Sequence, residues 1–383
     1  MRTIIMLFTI LFLKTISFSF GNFIQEDLRV ALNKFSGEKV FFKAQKGSLF
    51  VEIGDGLEKV TVEVPQGQVK AVTMNNSNLS FEGEKSEIIR VYQGEFDSVF
   101  SISRDGEEFI PYRGDLEFIT YKNQIMPVNS VQSEEYLYSV VPSEIGSYFP
   151  EEAIKAQILA ARTYLYHNIK NYKYKEFDLM DNVNSQMYLG KGRENSKINA
   201  LVDNTVGEII VFDGRPINAL YHSTSGGITA NNEDVWGGNP VPYLRSRDDS
   251  NNEEKSPRKK WTTSITKSEL SRGAGFPVKK IEVLSMNSGR VITLRLIGSD
   301  KKTVSGNEFR RMVGYNTIYS TQFQIKDDGE KFVFFGKGSG HGVGMSQYGA
   351  YGLAVKGKKY REIIFYYYTG VEIKTLKNGQ NML

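Results

Sequence analysis

Cysteine is absent from this 383-residue chain. Its absence excludes disulfides, thiolate metal ligands, a cysteine nucleophile and the lipid-modified cysteine of a bacterial lipoprotein. A chain of this length without disulfides relies on its hydrophobic core, which is large enough for about two domains. Histidine is scarce, with His167, His222 and His341 the only imidazoles. A strong excess of one charge is missing too: 48 Lys and Arg stand against 44 Asp and Glu, a net +4. That balance gives no basic stripe for nucleic acid, and the short cluster "SPRKKW" (256–261) reads as a solvated loop. Beyond the amino terminus no segment approaches the length of an apolar membrane span.

The amino terminus itself carries "IIMLFTILFL" (4–13) after Met1-Arg2, ending at Lys14. This run is too short to cross a bilayer and suits the apolar region of a signal peptide. "SFG" (19–21) places small residues at both cleavage-defining positions, so Asn22 is expected to start the mature chain. The expected location is outside the membrane: periplasm, cell wall or extracellular space. Retention of residues 1–21 as an uncleaved anchor is the one route to a membrane.

From about 24 to 125 short runs such as "VFFKA", "LFVEI", "VTVEV" and "IIRVYQG" alternate near period two, with "PQG", "NNSN" and "RDGEE" at the turns. The pattern predicts a β-rich first region serving as scaffold or docking module. The character changes near residue 133. "SEEYLYSVV" predicts a helix with Ser133 as N-cap, "PSEIGSYFP" interrupts it, and Pro150 opens a second helix. In that helix Ala153, Ile154, Ile158, Ala161 and Leu165 make one apolar face. Further on, hairpins are expected at Asp213-Gly214 and at 287–289, and "YREIIFYYYTGVEI" (360–373) is expected to close the domain with a helix, a Gly stop at 370 and a final strand. Helices and strands mix without βαβ alternation, so the class is α+β, with mixed helices and antiparallel strands behind a β-rich amino-terminal region. The expected division is signal peptide 1–21, β-rich region 22–111, a main domain 112–376 and a tail 377–383.

The stretch "GSGHGVGMSQYGAYG" (338–352) holds six glycines around His341, Ser346, Gln347 and Tyr348. It lacks the spacing of a P-loop, of G-x-G-x-x-G and of the G-x-S-x-G elbow. A loop whose glycines let a neutral, hydroxyl-rich ligand approach the backbone remains. A metal site is the competing reading. His222 in "YHSTSGG" with His341 and a carboxylate such as Glu233 or Asp234 could bind zinc, although no local spacing supports it. His167 reads as a surface or half-buried residue of the long helix. Glu144, preceded by Val140, Val141 and Pro142, is placed where apolar neighbours would keep a carboxyl protonated, as a general acid requires. A capping role for Glu144, and Asx-turn roles for Asp178 and Asp181, are the plainer alternatives.

Four segments, "SEEYLYSVVPSEIGSYFPEEAIKAQILAARTYLY", "DNVNSQMYLG", "VGEIIVFDGRPINALYHSTSGGITANNEDVWGG" and "GSGHGVGMSQYGAYGLAVKG…YREIIFYYYTGVEI", occur in order from about residue 112 to 373. Together they resemble the SpoIID/LytB family of bacterial cell-wall proteins. The resemblance implies a lytic transglycosylase of sporulation type that cleaves the MurNAc–GlcNAc bond of peptidoglycan, preferring strands stripped of stem peptides. It implies that Glu144 is the catalytic acid, and that Arg162, His222, His341 and Gln347 fall on family motif positions. Protonated Glu144 would donate to the glycosidic oxygen and then take the proton of the sugar's own 6-hydroxyl, closing a 1,6-anhydro ring. Tyr148, Gln347 and Tyr348 are the neighbours expected to hold the oxocarbenium-like state, with Ser346 presented beside them. Some relatives bind zinc through cysteines near the position of His222; here Ser225 and its neighbours offer no thiolate, so no cofactor is expected. The implied partners are peptidoglycan glycan strands and, if the chain is instead a non-catalytic enhancer, a cell-wall amidase. A structural subunit of an envelope complex is a third reading.

Overall fold

The computed structural model describes residues 27–376 apart from 55–58, 76, 96, 170–175 and 182–184. The expected signal peptide and tail lie outside the described residues. The fold is α+β. Among the described residues eight α-helices are present: α1 Ser133–Glu144, α2 Glu151–Ile169, α3 Ser196–Asp203, α4 Asn232–Trp236, α5 Lys267–Ala274, α6 Gly306–Val313, α7 Gln347–Val355 and α8 Tyr360–Tyr367.

The first half is a pair of antiparallel sheets. A seven-stranded sheet is ordered Leu179–Met180, Asp27–Ala31, Gln124–Gln132, Asp115–Tyr121, Ile88–Gln93, Leu49–Ile53, Val60–Val64, with only the first pairing parallel. A six-stranded sheet is built around Lys39–Lys46 and Val69–Asn75. Alternation along these strands turns Val40, Phe42 and Ala44 inward, and Phe42 meets Phe118 of the other sheet with ring centroids 5.6 Å apart. Because Asp115–Tyr121 pairs with Ile88–Gln93, the seven-stranded sheet runs across the expected division at residue 111. One hydrophobic core continues from Leu28 in the first strand to Val371 beyond α8.

At the centre of that core lies α2. It packs against α1, α3, α7, α8 and the strand Glu208–Phe212. It is therefore buried on more than the one predicted face: Gln157, Arg162 and Thr163 are inside along with the aliphatic residues. Buried polar groups on such a helix need partners. Thr163 Oγ1 donates to Leu159 O and accepts the Ile210 N–H at 2.9 Å. Arg162 pairs with Glu134 of α1.

α1 differs from expectation at both ends. It continues through Pro142 to Glu144, so the acid is on its last turn and not in the connection that follows. Ser143 Oγ donates to Ser139 O at 2.8 Å within that turn. Gln132, not Ser133, is the N-cap, and the Ser133 hydroxyl lies 3.3 Å from the Tyr166 hydroxyl of α2.

Residues 261–336 form a layer with a second core. Two three-stranded antiparallel sheets, Trp261–Thr266 with Lys331–Gly336 and Phe323–Asp327, and Val278–Asn287 with Arg290–Gly298 and Lys301–Ser305, enclose Leu270, Leu294, Phe309, Phe323 and Phe334 with α5 and α6. Both predicted hairpins form here and upstream, Asp213 and Ser288 taking positive φ before Gly214 and Gly289.

Candidate active site

Glu144 sits half-buried on the last turn of α1. Ser139, five residues earlier, holds the passing segment 186–190 against the helix. Its hydroxyl donates to Gly190 O at 2.9 Å and accepts the Leu189 N–H at 3.2 Å. The Met187 N–H thereby faces Glu144 Oε1 through a long contact of 3.5 Å, and the Tyr221 phenol supplies a second hydrogen bond. Burial raises the Glu144 carboxyl above its ordinary value, and the Met187 and Tyr221 bonds pull the other way without cancelling it. The carbonyl-rich end of α1 also disfavours an anion there. None of the groups that shift Glu144 is a second carboxylate. Its surroundings are phenols: burial and then the Glu144 charge push Tyr164 and Tyr221 upward, so both stay protonated. Gln186 fixes this group, its Nε2 donating to Ala161 O at 3.2 Å and to the Tyr221 hydroxyl at 3.4 Å.

The amino end of α7 closes on the same place. Gln347 Nε2 donates to the Glu144 main-chain oxygen at 3.1 Å and to Gln157 Oε1 at 3.3 Å. The Tyr148 and Tyr348 hydroxyls lie 3.0 Å apart, and Phe149 packs on Tyr348 with ring centroids at 5.1 Å. Tyr148 is mostly exposed, which puts this tyrosine pair at the surface beside the acid. Four of the sequence candidates, Glu144, Tyr148, Gln347 and Tyr348, are thus brought together across about 200 residues of chain.

The two histidines form the adjoining wall. Tyr221–His222 pairs in parallel with Met345–Ser346. His341 Nδ1 accepts the Val343 N–H at 3.1 Å, so its Nε2 carries the hydrogen that reaches Tyr221 O at 3.0 Å. Burial depresses this imidazole to about 4, leaving it neutral. His222 Nδ1 faces Val343 O at 3.1 Å and must be the protonated nitrogen; its buried Nε2 has no partner among the described residues. The ring centroids are 5.4 Å apart, and the Trp236 ring lies 5.2 Å from that of His341.

Two candidates are directed elsewhere. Arg162 is fully buried, with Nε and Nη2 on the Glu134 carboxylate at 2.9 and 2.7 Å and further bonds to Glu208 O and Val202 O. It joins α1 to α2 and presents nothing to the surface. Ser346 is also buried: its hydroxyl donates to Glu253 Oε1 at 2.6 Å and caps α7 through the Gly349 N–H. Glu253 in turn accepts the N–H groups of Ser225, Gly226 and Gly227. The glycines of 338–344 are needed by the protein's own packing more than by a ligand. A Cβ on Gly340 would stand 2.7 Å from His222 Cβ, and one on Gly344 2.0 Å from Leu220 O.

The remaining carboxylates have structural partners. Asp178 and Asp181 accept the Arg29 and Asn33 N–H groups, and Glu233 pairs with Arg245. His167 Nδ1 is 3.0 Å from Pro216 O. Among the described residues no cluster of three His, Asp or Glu side chains could hold a metal ion. Sequence reasoning missed Tyr221, Gln186, Gln157, Tyr164 and Trp236. All five lie within the quoted motif segments, but nothing local marks a Gln or Tyr as facing an acid.

A family model described as stage II sporulation protein (SpoIID) matches residues 121–212, and a domain of unknown function (DUF8618) matches residues 264–344, the layer with its own core. Stage II sporulation protein D of Bacillus subtilis is 33% identical over 273 residues, which is 66% of this chain and 77% of that protein. An uncharacterized protein of Brachyspira hyodysenteriae is 36% identical over 273 residues, 69% of this chain and 72% of that protein. The amidase enhancer of Bacillus subtilis is 27% identical over 293 residues, 62% of this chain but 40% of its own length.

Proposed function

The chain belongs to the SpoIID/LytB family, and from that premise we propose that it is a peptidoglycan lytic transglycosylase with Glu144 as its single acid and base. Membership gives it a cell-wall-related role; the reaction is our reading. The observation that carries it is the Glu144 carboxyl, desolvated, raised above its ordinary value and met by phenols and an amide N–H, with no carboxylate among the groups that shift it.

Hydrolases that cut glycosidic bonds pair two carboxylates, one of them for water or for a covalent intermediate. A lone acid suits a reaction in which the substrate supplies its own nucleophile. Protonated Glu144 gives its proton to the oxygen between MurNAc C1 and the next sugar, and the C1–O bond breaks. The carboxylate then accepts the proton of the MurNAc 6-hydroxyl as O6 bonds to C1. The products are a 1,6-anhydro end and a free 4-hydroxyl, and Glu144 is protonated again. A positioned proton donor contributes about 10²–10⁴-fold. Gln347 holds the main chain of the acid, and the Tyr148–Tyr348 pair offers hydroxyl oxygens to the positive charge developing at C1.

Such a substrate lies outside the membrane, so we place the protein there. No helix among the described residues is long and apolar enough to cross a membrane. The 27% match to an amidase enhancer favours a second reading, a non-catalytic glycan binder that assists a cell-wall amidase. Mass spectrometry of peptide-free glycan strands incubated with the protein or with Glu144→Gln separates the two. Anhydro-terminated fragments from the wild type alone support the transglycosylase. Intact strands from both, with protein retained on the glycan, support the binder.

A further inference from the structure

We propose that Trp236 is a stacking platform for a pyranose ring of the glycan, a subsite beyond the sugar at Glu144 that the 261–336 layer holds in place. The inference rests on the glycan-cleft reading above. Trp236 ends α4 and is 53% exposed, whereas the other tryptophan, Trp261, is 7% exposed and donates Nε1–H to Gly338 O at 2.8 Å. An exposed indole on a mobile loop would be unremarkable, but this one stands on an anchored helix. Arg245 forks onto the Glu233 carboxylate at 2.7 and 2.6 Å and reaches Asn232 Oδ1 at 2.7 Å. From the second layer, Asn287 Nδ2 donates to Asp234 at 2.6 Å and Asn307 Nδ2 to Val235 O at 3.0 Å. Bonds from two directions therefore fix the residues before Trp236, and Gly237 and Gly238, both at positive φ, turn the chain away after it.

The position is as informative as the exposure. Trp236 touches His341, His341 bonds the Tyr221 main chain, and the Tyr221 phenol bonds Glu144, one unbroken wall from the indole to the acid. The carboxylates of α4 are engaged by Arg245, Asn231 and Asn287, so no free charge selects an ion beside the ring. The electron-rich face of an indole attracts the polarised axial C–H bonds of a pyranose, and its apolar area covers the sugar's less polar face. An N-acetylhexosamine ring is the ligand this chemistry takes.

The test uses peptide-free glycan strands as probe and the full chain carrying Glu144→Gln, so that strands stay intact. Glycan binding should blue-shift tryptophan emission, and Trp236→Ala should abolish the shift and weaken binding roughly tenfold. Trp236→Tyr should recover most of the affinity, and Asn307→Ala should weaken binding with Trp236 still present. In the cleaving enzyme Trp236→Ala should raise KM and leave kcat nearly unchanged. Equal glycan affinity with and without the indole, or emission unmoved by bound glycan, overturns the subsite while leaving the cleft reading intact. Absence of glycan binding by every variant removes both.

Discussion

Replacing Arg162 by Met should cost stability and not glycan affinity. The guanidinium has no exposed surface and Glu134 almost none, and two charge-assisted bonds of 2.9 and 2.7 Å join them. Met fills the stem's volume but leaves the Glu134 carboxylate buried opposite nothing, and removing one partner of a buried pair costs about 3–5 kcal/mol. With an unfolding entropy of roughly 0.8 kcal/mol per kelvin for a chain of this length, Tm falls by about 4–6 °C. The double variant Glu134→Leu, Arg162→Met removes both charges and should recover much of that loss. Calorimetry of the four proteins of the cycle, with glycan retention measured on each below its Tm, gives both readouts. A single variant that melts within about a degree of wild type yet loses glycan would refute the reasoning. It would mean that the guanidinium reaches the ligand.

Cleavage should decline as pH rises through the elevated Glu144 carboxyl, because the acid form is consumed, and a pH–rate profile should place that limb above the ordinary 4.5. The folded protein holds this proton more tightly than the unfolded chain, so stability is lost as pH rises, and Glu144→Gln should raise Tm more at pH 8 than at pH 4. Asp249 behaves in the same sense: burial, then the Glu253 charge, lifts it from 3.8 to about 6. That displacement amounts to roughly 3 kcal/mol, absent below pH 4 and fully felt above pH 6, so Asp249→Asn should flatten the fall in stability across that window in denaturant titrations. Gly342→Ala would set a Cβ 2.5 Å from the buried Arg290 guanidinium at φ +87°, and urea unfolding should show a loss of about 2 kcal/mol or more.

The local features of the fold were legible because their causes are local. Asp213-Gly214 and Ser288-Gly289 turn where positive φ is needed, and α2 follows from a run without Gly or Pro; α8, however, already ends at Tyr367 on an extended Tyr368, and Gly370 takes its positive φ in the turn beyond. The extension of α1 through Pro142 was not legible. A proline two residues before the end forfeits one hydrogen bond, and the packing of Val140, Val141 and Ile145 in the core outweighs it. Likewise Glu144 was found as an acid among apolar neighbours, whereas the phenols around it come from Tyr164 and Tyr221, distant in sequence.

The sequence by itself determined the α+β class, the order of the motif segments, the family and the one carboxyl on which the chemistry is proposed to turn. Only the tertiary structure decided which motif residues face outward. Arg162, Ser346 and Gln347 occupy motif segments just as Tyr148 and Tyr348 do, yet Arg162 and Ser346 are sealed against Glu134 and Glu253, 28 and 93 residues away, and Gln347 is turned inward onto the Glu144 main chain. Composition and spacing record that a polar side chain is present. Whether it satisfies a buried partner or is left for a ligand depends on which surfaces the core draws together, and those contacts are long-range.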